Sequence, residues 1–199
     1  ELEGANALSA ETYNIGNANS DTNNVVEDVQ SSATGNVLDN DFNEITVITT
    51  AAMNGDYGTV SITADGAYTY QLANNNAVQS LYAGEEVTDE FNYTVIDENG
   101  DEDIATLTIT VTGTNDAPVA YADTASLDLS TVSPGFLQKS VDIDVLANDT
   151  DVDTGASLTV ASFDAITAGG ALITENLDGT LRYAPGTAYD YLSADETVI

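Results

Sequence analysis

The sequence predicts an all-β chain of two tandem Greek-key β-sandwiches, the second lacking its closing hairpin. Three observations predict this. Short runs rich in Val, Ile, Thr and Tyr are separated by Gly-, Asn- and Asp-rich turns. From Val25 to Gly113 about seven such runs fall within roughly 95 residues, the density expected of a sandwich. The same succession then begins again, so the chain carries an internal repeat.

The elements follow in order. Val25-Val26, "TGNVL" (Thr34 to Leu38) and "ITVITT" (Ile45 to Thr50) read as the first strands. "GTVSIT" and "AYTYQL" flank "ADG", which predicts a hairpin over Gly58 to Leu72 with Asp65-Gly66 in its turn. Val60 and Ile62 share one face, as do Tyr68, Tyr70 and Leu72. "NAVQSL" (Asn76 to Leu81) reads as a helical turn. "EFNYTVI" (Glu90 to Ile96) and "IATLTITVTG" (Ile104 to Gly113) flank "DENGDED" and predict a second hairpin. Leu107, Ile109 and Val111 alternate with threonines, so one face is core and the other is wet.

"VLDND" at Val37 then returns as "VLAND" at Val145, and "YGTVSITADGAYTYQL" as "GALITENLDGTLRYAP". "LYAGEEVT" returns as "YLSADETV" at Tyr191 to Val198, so the unit is about 110 residues long. Residues 1–22 read as a polar leader without the basic start of a signal peptide. Residues 23–117 form the first domain and 118–199 the second, which carries an extra loop around "STVSPGFLQKS". The first unit ends with the hairpin in Asp89 to Gly113. The second stops at Ile199, before its counterpart, so a longer chain, a split domain or a segment supplied in trans is expected to complete it.

Composition narrows the function. There are 34 acidic residues against two basic ones, Lys139 and Arg182, for a net charge of -32. Nucleic acid and anionic membrane surfaces are excluded as partners, because both need a basic face. No run approaches the ~18 apolar residues of a membrane span. Cysteine and histidine are absent, which removes thiolate metal sites and Ser-His-Asp or Cys-His catalysis. A carboxylate-pair glycosidase is compatible with composition alone, but the expectation is that the chain is not an enzyme.

The acids are not evenly spread. "VLANDTDVDTG" sets Asp149, Asp151 and Asp153 at alternate positions after an apolar run, and "VLDNDFNE" is a shorter echo with Asp39 and Asp41. Two carboxylates ~4 Å apart repel by about 4 kcal/mol at an effective dielectric of 20. A loop that gathers several stays ionised when a cation joins it, and calcium, with six to eight oxygen ligands, suits such a loop. The EF-hand pattern fails, with Thr154 and Val160 where it needs Gly and Glu. The glycine-rich nonapeptide of β-roll toxins is also absent.

A third pattern fits. "TNDAPV" resembles the calcium-binding linker between cadherin domains. The run "VVEDVQSSATGNVLDND…LYAGEEVTDEFNYTVIDENGD…TITVTGTNDAPV" resembles a VCBS repeat, the cadherin-like repeat of large RTX-type bacterial surface adhesins and biofilm proteins. The second unit, "APVAYADTA…IDVLANDTDVD…NLDGTLRYAP", is similar to the related cadherin-like or bacterial Ig-like adhesin repeat. The resemblance implies a calcium site between consecutive domains. Glu27 matches the glutamate near the first strand, and Glu85 the acid of the cadherin Leu-Asp-Arg-Glu motif, whose Asp is missing here. Asn115, through its carbonyl, and Asp116 match the linker. Asp151 and Asp153 match the Asp-x-Asp of the following domain, with Asp149 either a further ligand or a cap of the loop. Gly113 stands where cadherins place another Asp, which implies fewer ions. Asp39 and Asp41 would face a preceding domain, and Asp128 would replace Glu27 in the second unit.

Plainer readings stand beside these. The aspartate loop can be a solvated acidic turn, and Asn115-Asp116 a capped turn before Pro118. Asp97 to Asp103 reads better as an acidic hairpin turn than as a peripheral ion site. Tyr68, Tyr70 and Tyr93 read as core or cross-strand residues rather than a sugar platform. The function expected is a calcium-stiffened extender or adhesion module of a large secreted or cell-surface bacterial adhesin, with neighbouring repeats as partners. The alternative is a module that itself binds a glycan or protein on a host or biofilm surface.

Overall fold

A computed structural model describes residues 18–42, 45–128 and 139–187. The chain divides into two compact units, Glu1–Asn115 and Asp116–Ile199.

The first unit contains β1 (Asp21–Val26), β2 (Ser32–Asn36), β3 (Ile45–Val47), β4 (Met53–Asn54), β5 (Gly58–Ile62), β6 (Ala67–Leu72), α1 (Asn76–Gln79), β7 (Glu86–Asp97) and β8 (Glu102–Thr112). One sheet has the order β1-β8-β7-β3 and the other β2-β6-β5-β4. The long β7–β8 hairpin is the centre of the first sheet, and β1 lies parallel to β8 on its outer side. Period-two alternation explains the packing. Phe91, Tyr93 and Val95 on β7, and Ala105, Leu107, Ile109 and Val111 on β8, are buried, while the threonines between them are not. They join Val60, Ile62, Tyr68, Tyr70 and Leu72 of the other sheet in one core. Tyr70 and Phe91 meet across the sheets with ring centroids 6.0 Å apart. Each large apolar side chain buried this way contributes about 1.5–3 kcal/mol. A one-residue slip of β8 would turn its threonines into the core.

The structure differs from the sequence reading in several strand bounds: β1 begins at Asp21 rather than Val25, β2 runs Ser32–Asn36 rather than Thr34 to Leu38, and β3 ends at Val47 rather than Thr50. A two-residue strand, β4, adds an edge beside β5. β7 begins at Glu86 rather than Glu90, which brings Val87 and Asp89 onto its inner side. The helical turn lies at Asn76–Gln79, where the Asn75 side chain accepts the Val78 N–H and Val78 and Leu81 plug the end of the core. In the β5–β6 turn, Gly66 has φ +84°, and a Cβ there would lie 2.2 Å from Asn36 Oδ1, so only glycine fits.

The second unit contains β9 (Val141–Ile143), β10 (Leu172–Glu175) and β11 (Leu181–Ala184), in an antiparallel sheet of order β10-β11-β9. Its pairing reproduces the first unit. Val60 faces Tyr70 as Ile173 faces Tyr183, and Ser61 faces Thr69 as Thr174 faces Arg182. Gly35 faces Tyr68 as Ile143 faces Leu181, and Thr34 faces Thr69 as Asp142 faces Arg182. The two hairpins thus share one register, with Asp65-Gly66 and Asp178-Gly179 in equivalent turns; Gly179 has φ +86°. Arg182 forms a forked ion pair with Asp142 at 2.7 and 2.8 Å. The "YLSADETV" match, most of the extra loop and the expected place of a closing hairpin lie outside the described residues.

Candidate metal site

At the linker end of the first unit three segments meet. The Glu27 N–H donates to Thr112 O at 3.0 Å, and Gly113 exchanges backbone hydrogen bonds with Gly84 and Glu85. The Glu27 side chain then takes the next residue: Oε2 accepts the Thr114 N–H at 3.0 Å, while Oε1 accepts Gln79 Nε2 at 3.0 Å. Glu27 is fully buried, so these bonds offset the burial of its carboxylate. Glu85 is partly buried, and its Oε2 accepts the Tyr82 N–H at 3.2 Å. Asn115, exposed, follows directly. Glu27, Glu85 and the "GTN" linker are therefore neighbours, although they are far apart in sequence. A Cβ on Gly113 would lie 2.6 Å from Leu81 Cβ and Tyr82 O, so the aspartate that cadherins carry here has no room.

In the second unit the aspartate loop lies against the start of the same unit. Asp153 is 8% exposed. Its Oδ2 accepts the Asp116 N–H at 3.2 Å, and its Oδ1 is buried with no hydrogen-bond partner among the described residues. Asp151 precedes it in an Asx turn, with Oδ1 accepting the Asp153 N–H at 3.0 Å. Asp149 points elsewhere: its Oδ1 accepts the Tyr121 N–H at 2.7 Å. Asp116, Asp151 and Asp153 are thus brought together, and Asp149 is occupied with the backbone.

The echo in the first unit has a different content. Asp41 Oδ1 accepts the Asn19 N–H at 2.6 Å, and its buried Oδ2 has no hydrogen-bond partner among the described residues. Asp39 is exposed. The turns of "VLDND" and "VLAND" are the same, so Asp41 corresponds to Asp149 and Asp39 to Ala147. Counted from the shared turn, Asn43 and Ile45 stand at the positions of Asp151 and Asp153. Asp21 stands near this end, its Oδ2 accepting the Tyr93 hydroxyl at 2.8 Å. Burial pushes the Asp21 carboxyl up; the Tyr93 bond opposes this, and the charges of Asp41 and Asp39 add to it.

Two acids that sequence reasoning passed over explain themselves. Asp21 lies on β1, which begins before Val25. Asp89, 3% exposed, sits inside the sandwich, in phase with Phe91 and Tyr93 on β7. It accepts the Asp56 N–H at 2.7 Å, the Tyr57 N–H at 3.1 Å and the Tyr70 hydroxyl at 2.8 Å. Alternation would have placed Asp89 inside had the strand been started at Glu86. The "DENGDED" turn is closed by its own backbone: Asp97 Oδ1 accepts the Asn99 and Asp101 N–H groups at 2.9 Å, which holds its carboxyl below the ordinary value. Tyr70 and Tyr93 are fully buried and Tyr68 nearly so, which makes them core. Asp128 accepts Lys139 Nζ on its backbone oxygen.

Among the described residues no three acidic side chains converge closely enough to hold an ion alone. The donor chemistry nevertheless fits a hard cation: carboxylate and carbonyl oxygens only, one of them buried and without a donor. No helix of the described residues is long and apolar enough to cross a membrane. No curated protein is detectably similar to the chain. Residues 15–113 match the model of the bacterial cadherin-like domain, and residues 115–197 match that of the bacterial Ig domain. Domains of these two families are typically non-catalytic structural modules and usually occur in surface or extracellular proteins, where they suggest an adhesion-type module. The chain is a tandem of a bacterial cadherin-like domain and a bacterial Ig-like domain.

Proposed function

We propose that the chain is an extender module of a large secreted or surface-anchored bacterial adhesin, and that calcium at the Asn115-Asp116 junction stiffens it for adhesion and biofilm formation. The observation that carries this reading is Asp153. It is more than nine-tenths buried, and one carboxylate oxygen lacks a hydrogen-bond donor among the described residues. A buried anionic oxygen without a donor is costly, and a cation is the partner that relieves it. Asp151 and Asp116 flank it. The resemblance to the cadherin linker adds Glu27, Glu85 and the Asn115 carbonyl of the preceding domain as further ligands. Calcium fits better than magnesium, because a shell gathered from loops is irregular.

The mechanism is mechanical. Without an ion the junction carboxylates repel and the two domains swivel. With one, ligands from both domains fix the angle between them. Extracellular modules of this kind bind calcium at roughly 0.1–1 mM, so the external concentration sets the stiffness. At ten times the dissociation constant one ion stabilises the folded form by about 1.4 kcal/mol. Thermal melting of the full chain tests the reading: EDTA should lower the transition and millimolar calcium restore it. Asp153→Asn should remove the difference. Identical melting in EDTA and calcium would overturn the proposal.

A further inference from the structure

The paired Asn-Asp of "VLDND" and "VLAND" does the same thing in both domains. In the first, Asp41 Oδ1 accepts the Asn19 N–H at 2.6 Å, and Asn40 Nδ2 donates to the Ser20 carbonyl at 3.1 Å. In the second, Asp149 Oδ1 accepts the Tyr121 N–H at 2.7 Å, and Asn148 Nδ2 donates to the Ala122 carbonyl at 3.3 Å. Each pair thus grips two consecutive backbone positions of its domain's entry segment, accepting from one residue and donating to the next. The pattern imitates a strand neighbour, with side-chain amide and carboxylate in place of backbone N–H and C=O. The turn that presents the pair is also shared. Leu38 N–H bonds Asn36 Oδ1 and Leu146 N–H bonds Asp144 Oδ1. Asp41 N–H bonds Leu38 O and Asp149 N–H bonds Leu146 O, each at 3.2 Å.

We propose that Asn40-Asp41 and Asn148-Asp149 are strand latches, positioning residues that fix the path by which the chain enters each domain. Asp149 acts here and not as a calcium ligand, while Asp41 latches through Oδ1 and keeps Oδ2, buried without a hydrogen-bond partner among the described residues, for a cation. One feature separates the latch from the Asp151-Asp153 site. It is present in the cadherin-like domain, whose loop carries Asn43 and Ile45 at the positions of Asp151 and Asp153, counted from the shared turn. In the Ig-like domain the latch continues into a backbone pair, Val119 N–H to Thr150 O at 2.7 Å and Thr150 N–H to Val119 O at 3.0 Å, and then into the Asp116 N–H bond to Asp153. The entry segment from Asp116 to Ala122 is thereby laid along the loop from Asn148 to Asp153. On the junction reading above, the latch orders that domain's share of the calcium shell before any ion arrives.

The test uses the full chain in EDTA, so it does not depend on calcium. Amide hydrogen exchange is read at the single amides Tyr121 and Asn19. Asp149→Ala should speed exchange at Tyr121 by about fivefold or more, the loss of one hydrogen bond, and leave Asn19 unchanged. Asp41→Ala should do the reverse. Asp149→Asn, whose amide oxygen still accepts, should keep Tyr121 protected. Its calcium affinity should stay within about twofold of the parent, whereas a carboxylate ligand lost to an amide weakens binding by tenfold or more. Unchanged Tyr121 exchange in Asp149→Ala, or loss of protection in Asp149→Asn equal to that in Asp149→Ala, would overturn the latch. A tenfold loss of calcium affinity in Asp149→Asn would overturn its separation from the metal site. If the parent binds no calcium, the junction reading fails while the exchange results still judge the latch.

Discussion

Replacing Asp89 with alanine should destabilise the cadherin-like domain by about 2–4 kcal/mol. The magnitude follows from what the carboxylate holds. It accepts two backbone N–H groups of the Asp56-Tyr57 loop and the hydroxyl of the fully buried Tyr70. Three hydrogen bonds to a charged group are worth about 1.5–3 kcal/mol each. Their loss is offset by several kcal/mol through relief of a buried charge. At about 4–8 °C per kcal/mol for a domain of this size, the melting point should fall by roughly 8–32 °C. Asp89→Asn keeps the acceptor for both loop amides, and the Tyr70 hydroxyl can rotate to accept from the new amide. It should therefore stay within about 1.5 kcal/mol of the parent. Gly55 supplies an internal control. A Cβ there would lie 2.3 Å from Asp89 Cγ, so Gly55→Ala should be severe in the parent and mild in the Asp89→Ala background. Calorimetry in EDTA, with amide exchange of β8 marking this domain's transition, reads all five proteins. An Asp89→Ala loss under about 1 kcal/mol, or an Asp89→Asn loss as large as that of Asp89→Ala, would refute the reasoning.

Three further outcomes are expected. Burial, with the charges of Asp41 and Asp39, raises the Asp21 carboxyl, so the folded state holds its proton more tightly and stability from this group is lost as pH rises. Asp21→Asn should then raise the melting point at neutral pH in EDTA and low salt, the gain fading below about pH 4; a lower melting point at neutral pH would contradict this. The Arg182 fork, with Asn176 adding, holds Asp142 at about 2, so its contribution is present above the ordinary carboxylate value and is lost as pH falls towards that figure. In Arg182→Gln the Asp142 titration followed by NMR should move up, while the melting point at neutral pH scarcely changes, because the pair is exposed. Gly113→Asp should destabilise the domain without tightening calcium, since its Cβ meets Leu81 and Tyr82; a gain in affinity would show that the site has room for the aspartate that cadherins place there.

Much of the sandwich was legible because alternation and turn chemistry are local. The phase of Leu107, Ile109 and Val111 needs only their neighbours, and Asp65-Gly66 announces its own turn. Asp89 escapes local reading because the aromatic run points to a start of β7 at Glu90, whereas β7 gains its first four residues from pairing with β8. β4 is two residues long and exists by pairing with β5, which no local pattern reports. The candidate site was half legible. Spacing marks Asp149, Asp151 and Asp153, and the resemblance adds the Asn115-Asp116 linker, Glu27 and Glu85. That Asp41 and Asp149 are turned onto backbone N–H groups depends on where the entry segments run, a long-range fact. The bonds of Glu27 to Gln79 and Thr114 are equally non-local.

Small-angle scattering of the full chain tests the central claim most directly, measured in EDTA and in millimolar calcium on the same sample. The account predicts a longer, narrower distance distribution and reduced flexibility in calcium, lost in Asp153→Asn and kept in Asp149→Asn. Superimposable curves in EDTA and calcium for the parent chain would contradict a calcium-stiffened junction.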